Sequence, residues 1–310
     1  FLLIMNYADA HRKFVGRSKD GFPTQTVTQP IAPFVWIGSD SPHLREEIRD
    51  YFNCMNRLDE GIGMVLDRLE KTGNRKDTLI VYISDHGADF PRAKGSCYES
   101  GIRIPMIINF PKEFSRGKVE RGMVSTVDLL PSMLRSAGIR IPKHLPGLVL
   151  QELDQGRVPS RKHIHSFTTG SSPNLLYLQF GIRDERYKLI YSPDRALNRL
   201  AESRYRNSQL SADQVVRSFL YPPEYELFDL QEDPHEWTNL ADQPEHAETR
   251  QRLLRAMHRF QRRIGDPFAD SKNIDAFIAE QKEYVDKPYK RSGFRWPHLE
   301  MFEAAQDEPK

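Results

Sequence analysis

Cysteine is nearly absent from this 310-residue chain. Only Cys54 and Cys97 occur, and neither stands in a CxxC or Cys/His pattern, which excludes a disulfide framework and argues against zinc or a dithiol redox pair. Long apolar runs are absent too. No stretch approaches the ~18–20 residues a helix needs to cross a bilayer, and 38% hydrophobic residues with a mean hydropathy of -0.63 describe a polar chain. Nor is there an excess of one charge. The 45 Lys and Arg face 43 Asp and Glu, so the chain lacks the global field of nucleic-acid binders, and an anionic ligand must be held locally. No internal repeat is found. Phe1-Leu2-Leu3-Ile4-Met5 is too short for a signal peptide and has no basic start or small-residue cleavage site. Because the chain opens inside an apolar run, a preceding segment is expected.

Apolar patterning organises what is there. Phe1 to Tyr7 reads as a strand buried on both faces that leads into the polar turn Ala8-Asp9-Ala10-His11-Arg12. Residues 16–43, with Gly16, Gly21, Pro23, Pro30, Pro33 and Pro42, read as an irregular excursion. Ser41-Pro42 starts a helix whose stripe from Leu44 and Ile48 to Leu66 and Leu69 repeats every three or four residues, until Gly73 stops it. Thr78 to Ser84 is a buried strand that presents Asp85-His86-Gly87 at its end, and Ile104 to Phe110 is another. A helix capped by Thr126 follows over about Val127 to Ala137, ended by Gly138. This order suits an α/β layered sheet with parallel strands. Beyond Pro146-Gly147, short strands at Tyr187–Tyr191 and Tyr225–Leu230 suggest a small antiparallel sheet, packed by a helix from Pro244 to Gly265. The expected division is 1–150 for an α/β domain, 151–265 for the smaller sheet and helix, and 266–310 for an extended tail wrapping the domain.

Three groups of residues carry chemistry. Asp85 and His86, adjacent at a strand end that Gly87 can turn sharply, suit a divalent cation. Carboxylate oxygen favours Ca²⁺ or Mg²⁺ and imidazole favours zinc, which leaves the metal open; a turn-capping Asp beside a solvated His is the plainer alternative. His11 titrates where it can protonate a leaving oxygen or nitrogen, and Arg12 beside it adds charge. Lys94 and Arg92 lie in a loop expected to return over the same edge, where cations would neutralise a tetrahedral oxyanion.

These residues carry a resemblance. Ser84-Asp85-His86-Gly87 followed by Tyr98-Glu99-Ser100-Gly101-Ile102-Arg103-Ile104-Pro105 resembles the type I sulfatase pattern of SDHG or SDNG and then Y-E-x-G-x-R-x-P. Thr126-Val127-Asp128-Leu129-Leu130-Pro131, Arg183 to Ile190, Glu226 to Leu230, Asp233-Pro234-His235-Glu236 and Asn239-Leu240 are similar to later blocks of that family, in order. Asn6 to Arg12 and Phe90 to Lys94 resemble its N-sulfoglucosamine sulfohydrolase branch. The resemblance implies an alkaline-phosphatase-like sulfatase sheet sandwiched by helices, with a smaller C-terminal antiparallel subdomain. It further implies that Asp85 and His86 are Ca²⁺ ligands, that His11 is the acid and that Lys94 contacts the sulfate, with Arg12 and Arg92 as further substrate-binding cations.

The implied substrate is a sulfated carbohydrate, and the implied location is exported or lysosomal; a homodimer is compatible with the sequence. His86 stands where some relatives carry Asn. The family's formylglycine motif, C/S-x-P-x-R, is missing from these 310 residues, so the nucleophile and two further aspartate ligands are expected upstream of Phe1. Two rivals stay open: a phosphodiesterase or phosphonate hydrolase of the same superfamily, and a non-catalytic protein that binds sulfated glycans.

Overall fold

A computed structural model describes residues 1–14, 21–170, 176–205, 209–210 and 213–286. The chain forms two compact units. The first holds Phe1–Asp89, Arg103–Ile164 and Ser208–Ser211, and the second holds Phe90–Ile102, His165–Asn207 and Ala212–Lys310.

In the first unit the long helix forms as its pattern dictates, over Pro42–Lys71. Ser41 caps it by accepting the Leu44 amide at 3.0 Å, and Pro42 sits where no amide donor is needed. Beyond it Gly73 adopts φ 74°, a left-handed conformation that glycine supplies without strain. The Asn53 carboxamide projects from this helix and holds both the amide and the carbonyl of Val27, at 2.7 and 3.1 Å.

Ile80–Ile83 and Met106–Asn109 are strands, but they pair with each other in antiparallel register, Ile80 opposite Asn109 and Ile83 opposite Met106, rather than in a parallel sheet. Their burial is also less than the apolar sequence predicts, Ile107 being 62% exposed.

The expected first strand is not formed. Phe1 to Tyr7 is irregular and exposed, because no strand among the described residues offers it ladder hydrogen bonds. Tyr7 is tied down by its hydroxyl, which donates to Gly61 O at 3.3 Å.

The next helix runs over Leu129–Ser136 after a short turn at Thr126–Asp128, and its entry is capped from Ser125 rather than Thr126. The Asp128 carboxylate is fully buried there. It accepts the amides of Ser125 and Leu148 at 2.8 and 2.6 Å and pairs with Arg161.

The second unit is built on a four-stranded sheet ordered Ile164–Gly170, Leu176–Arg183, Tyr187–Tyr191 and Tyr225–Asp229. The last three pair antiparallel, with Leu189 opposite Leu227 and Ile190 opposite Glu226. Side chains alternate across a strand, so each face has its own chemistry. Leu189 and Leu227 join Leu178, Phe180, Ile182, Leu253, Met257 and Phe277 in an apolar core with the Ala247–Ile264 and Ser271–Asp286 helices.

That second helix lies where an extended tail is expected. Ile274 and Phe277, three residues apart, give it an apolar stripe to bury. The tail beyond residue 286 and residues 16–20 of the excursion lie outside the described residues.

The opposite face carries Lys188 and Glu226, both buried. Tyr98 O–H donates to the Glu226 carboxylate at 2.8 Å. Burial pushes the Glu226 carboxyl from 4.5 up to about 7, against the Tyr98 hydrogen bond and the charges of Arg92 and Lys188, while Glu236 adds to the rise. A raised carboxyl contributes stability that is complete below the unfolded value of 4.5 and is lost as pH rises through about 7. Burial shifts Glu236 in the same direction. The thermal midpoint of the chain should therefore fall between about pH 5 and about pH 8, and Glu226→Gln should flatten that slope. An unchanged slope in scanning calorimetry of the variant would disprove the assignment.

Candidate active site

The Ser84-Asp85-His86-Gly87 loop follows the Ile80–Ile83 strand directly. Ser84 Oγ donates to His86 O at 2.5 Å, and Asp85 Oδ1 accepts the His86 amide at 2.9 Å, which closes a tight turn. His86 Nδ1 lies 2.8 Å from Gly87 O. A carbonyl only accepts, so Nδ1 carries the proton, and the neutral ring presents the Nε2 lone pair. That nitrogen lies 3.3 Å from Asp85 Oδ2.

Two electron-pair donors thus converge. An imidazole oriented by a backbone carbonyl through its other nitrogen is the usual posture of a metal ligand. The Asp85 side chain, 84% exposed, is open to a ligand. The pair fits a divalent cation as part of a ligand set; among the described residues no group of three or more His, Cys, Asp or Glu forms a complete one.

His11 lies in the same unit, in a turn closed by its amide donating to Ala8 O at 3.2 Å. Its ring is exposed, and Nδ1 lies 2.6 Å from Arg12 O, so the same argument makes Nε2 the nitrogen that exchanges protons. Arg12 beside it, the expected substrate-binding cation, is partly exposed and makes several contacts within the unit. Its guanidinium donates to Glu47 of the long helix at 2.5 Å and to Asp89 O at 3.1 and 3.2 Å, and it lies over the Phe14 ring at 5.0 Å. Arg12 therefore ties the His11 turn to the loop that follows Asp85 and His86.

Lys94 and Arg92 belong to the second unit. Lys94 is half-buried. Arg92 is 2% exposed, and its guanidinium donates to His235 O at 3.3 Å and Glu236 O at 2.5 Å and stacks 4.4 Å from the Tyr98 ring. The substrate-binding role expected of Arg92 is corrected accordingly: a side chain enclosed on interior carbonyls does not reach a ligand. Its backbone is left-handed, φ 59°, and the carbonyl is held by Ser96 Oγ at 3.0 Å and Ser100 Oγ at 2.5 Å. At Gly101 a Cβ would come within 2.4 Å of Ala93 O, so only glycine lets the Phe90–Ile102 segment fold back on itself.

Sequence reasoning missed the group that fixes this segment. Lys188 Nζ, fully buried, pairs with Glu99 Oε1 at 3.2 Å and Glu236 Oε1 at 2.8 Å. Arg183 pairs with Glu99 Oε2 at 2.5 Å, and the Glu99 amide donates to Glu236 Oε2 at 2.7 Å. A lysine inside the apolar strand Tyr187–Tyr191 and a glutamate inside Tyr225–Asp229 were the available signals. Cys97 is enclosed in the same unit, and burial pushes its thiol up to about 11, so it is no nucleophile.

Known proteins resemble this chain in sequence and in fold. The family model "Sulfatase" matches residues 2–139, and "N-sulphoglucosamine sulphohydrolase, C-terminal" matches residues 92–199. An "Ulvan-active sulfatase" of Formosa agariphila is 28% identical over 72% of this chain and 39% of its own length. The human "N-sulphoglucosamine sulphohydrolase" is 24% identical over 74% of this chain and 50% of its own. A solved structure of a protein in complex with its substrate D-glucosamine-2-N,6-O-disulfate superposes with a TM-score of 0.56 at 24% identity, over 73% of this chain and 43% of that one. The fold is of the α/β, alkaline-phosphatase-like class. Within that class, the chain belongs to the sulfatase family. It spans roughly two-fifths to one-half of the curated relatives named here.

Removing one partner of a buried ion pair costs about 3–5 kcal/mol. Lys188→Met should destabilise the chain by that amount in urea denaturation, because Glu99 and Glu236 then share a buried space without their ammonium. A change below about 1 kcal/mol would show the cluster to be dispensable.

Proposed function

We propose that this chain is part of a sulfatase that hydrolyses sulfate esters or sulfamates of sulfated carbohydrates. The observation that carries the reading is the pair of converging donors, His86 Nε2 and Asp85 Oδ2, 3.3 Å apart on the Ser84–Gly87 loop. Sulfatases as a family are metal-dependent, and Ca²⁺ is the ion proposed for this pair. When bound, it supplies positive charge for the sulfate oxygens. Two donors fall short of the six to eight that calcium takes, so further ligands complete the set.

His11 is proposed as the general acid. Cleavage of the S–O or S–N bond leaves an alkoxide or amide anion, and an imidazolium donates the proton that neutralises it. Arg12 positions that imidazole by anchoring its turn to Glu47 and the Asp89 carbonyl. Lys94 is proposed as the cation contacting the sulfate, a point charge suited to a tetrahedral anion. The formylglycine motif is not among these 310 residues, so the nucleophile comes from elsewhere in the enzyme. The match of residues 92–199 to an N-sulphoglucosamine sulphohydrolase region supports N- or O-sulfated glucosamine as the substrate class. Among the described residues no helix is long and apolar enough to cross a membrane; export or lysosomal delivery is proposed from the family alone.

The test is turnover of N-sulfo- and 6-O-sulfoglucosamine by a form that includes a formylglycine-bearing segment. Asp85→Asn should lower kcat/KM by about 100-fold or more, as loss of charge-stabilising groups does, and EDTA should abolish turnover until Ca²⁺ is restored. The 310-residue chain alone should not hydrolyse an aryl sulfate. Turnover by that chain, or preference of the longer form for a phosphonate monoester, would overturn the reading.

A further inference from the structure

The Ala247–Ile264 helix has two unlike faces. Leu253, Ala256 and Met257 are buried against the sheet of the second unit. Arg252, Arg255, Arg259, Arg262 and Arg263 are exposed. Their spacing of three, four, three and one places all five within an arc of about 100° at 3.6 residues per turn, and the rise of 1.5 Å per residue spreads Arg255 to Arg262 over ~10 Å.

This row is not explained by the helix itself. A last-turn cation offsets the helix dipole, which accounts for Arg262 and Arg263 but not for Arg255 and Arg259, which lie further back. Intrahelical pairing does not account for it either. The residues three and four positions from Arg255 and Arg259 are Gln251, Arg252, Ala256, His258, Arg262 and Arg263, with no acid among them. Like charges at that spacing destabilise a helix by about 0.2–0.5 kcal/mol per pair. Arg252 alone is neutralised, by Asp184 at 2.6 Å, and Arg263 lies over the Phe260 ring at 5.4 Å. Among the described residues no carboxylate pairs with Arg255, Arg259 or Arg262. Glu248, one turn before Arg252 on the same face, bounds the row. His258 on its flank is held below the usual imidazole value by desolvation first and by the Arg262 charge second.

A charge of +2 on the whole chain shows that the row is a local concentration and not a share of a basic surface. Guanidinium presents a planar fork that grips tetrahedral oxyanions through two donors and is always charged. A narrow row of such forks fits a linear polyanion with one charged group after another. We propose that Arg255, Arg259 and Arg262 form a docking surface for a linear sulfated polysaccharide, made of residues other than those proposed for catalysis. The choice of sulfate over phosphate rests on the substrate class proposed above, whereas the row itself does not. A duplex nucleic acid is less favoured because the chain, at a net charge of +2, lacks the strong overall positive charge such a partner selects.

The experiment is calorimetric titration of the 310-residue chain with a heparin-derived oligosaccharide across a range of NaCl concentrations. The triple substitution Arg255→Gln, Arg259→Gln, Arg262→Gln should weaken binding at least tenfold and reduce the slope of log Kd against log salt by about two to three, close to one counterion per lost contact. A control triple, Arg116→Gln, Arg121→Gln, Arg140→Gln, removes the same charge from exposed arginines elsewhere and should leave affinity within about twofold. In the otherwise native chain, Arg259→Glu should weaken binding more than Arg259→Gln, a comparison that does not depend on the triple variant folding. Desulfated oligosaccharide should not bind, and a monosaccharide sulfate should not compete. Equal loss in both triples, or none in the first, overturns the surface. Duplex DNA binding as tightly as heparin, with the same sensitivity to the first triple, overturns the sulfated-glycan assignment. None of these outcomes bears on turnover at Asp85, so this surface and the catalytic reading fail separately.

Discussion

A buried ammonium needs anions, and in the second unit Lys188 has two. Glu99 and Glu236 close on its Nζ, Arg183 balances the second oxygen of Glu99, and the Glu99 amide returns to Glu236. Each of these groups would lose several kcal/mol if left alone in a low-dielectric interior. Together they hold the Phe90–Ile102 segment against one face of the sheet, and that segment carries Lys94. The face opposite is held by ordinary apolar contact with two helices, whose non-directional packing sets no register. Directional charge pairing on one side and volume filling on the other fix how the Phe90–Ile102 segment lies on this small sheet.

The legible parts of the fold were those governed by local periodicity. The Pro42–Lys71 helix, with its Ser41 cap and Gly73 stop, follows from spacing and end chemistry alone, as do the Tyr187–Tyr191 strand and the Ala247–Ile264 helix. Strand partners were not legible. Period and composition show that a segment is extended but not what it pairs with, which is why Phe1 to Tyr7 was expected as a buried strand and Ile80–Ile83 as part of a parallel sheet. The helix at Ser271–Asp286 was hidden by the prolines and aromatics that follow it.

The candidate site divides along a similar line. The turns that carry Asp85, His86 and His11 were readable because a strand end followed by a short polar segment leaves little choice of conformation, whereas the roles of these side chains rest on the proposal above. Arg92 was misread for one reason: a guanidinium that binds a sulfate and one that binds interior carbonyl oxygens look identical in sequence. Only burial and partners separate them. Arg92 is enclosed over Tyr98. Lys188 and Glu226, which matter more to the architecture than Arg92, were passed over because single charged residues in short strands ordinarily mark a solvated face.

Both thiols in this chain are enclosed, Cys54 in the long helix and Cys97 beneath the sheet. With Cys97 protonated throughout the physiological range, neither oxidant nor electrophile meets a thiolate there in the native state. Modification of Cys97 by an alkylating reagent therefore reports an opening of the very region where Lys188 is clasped.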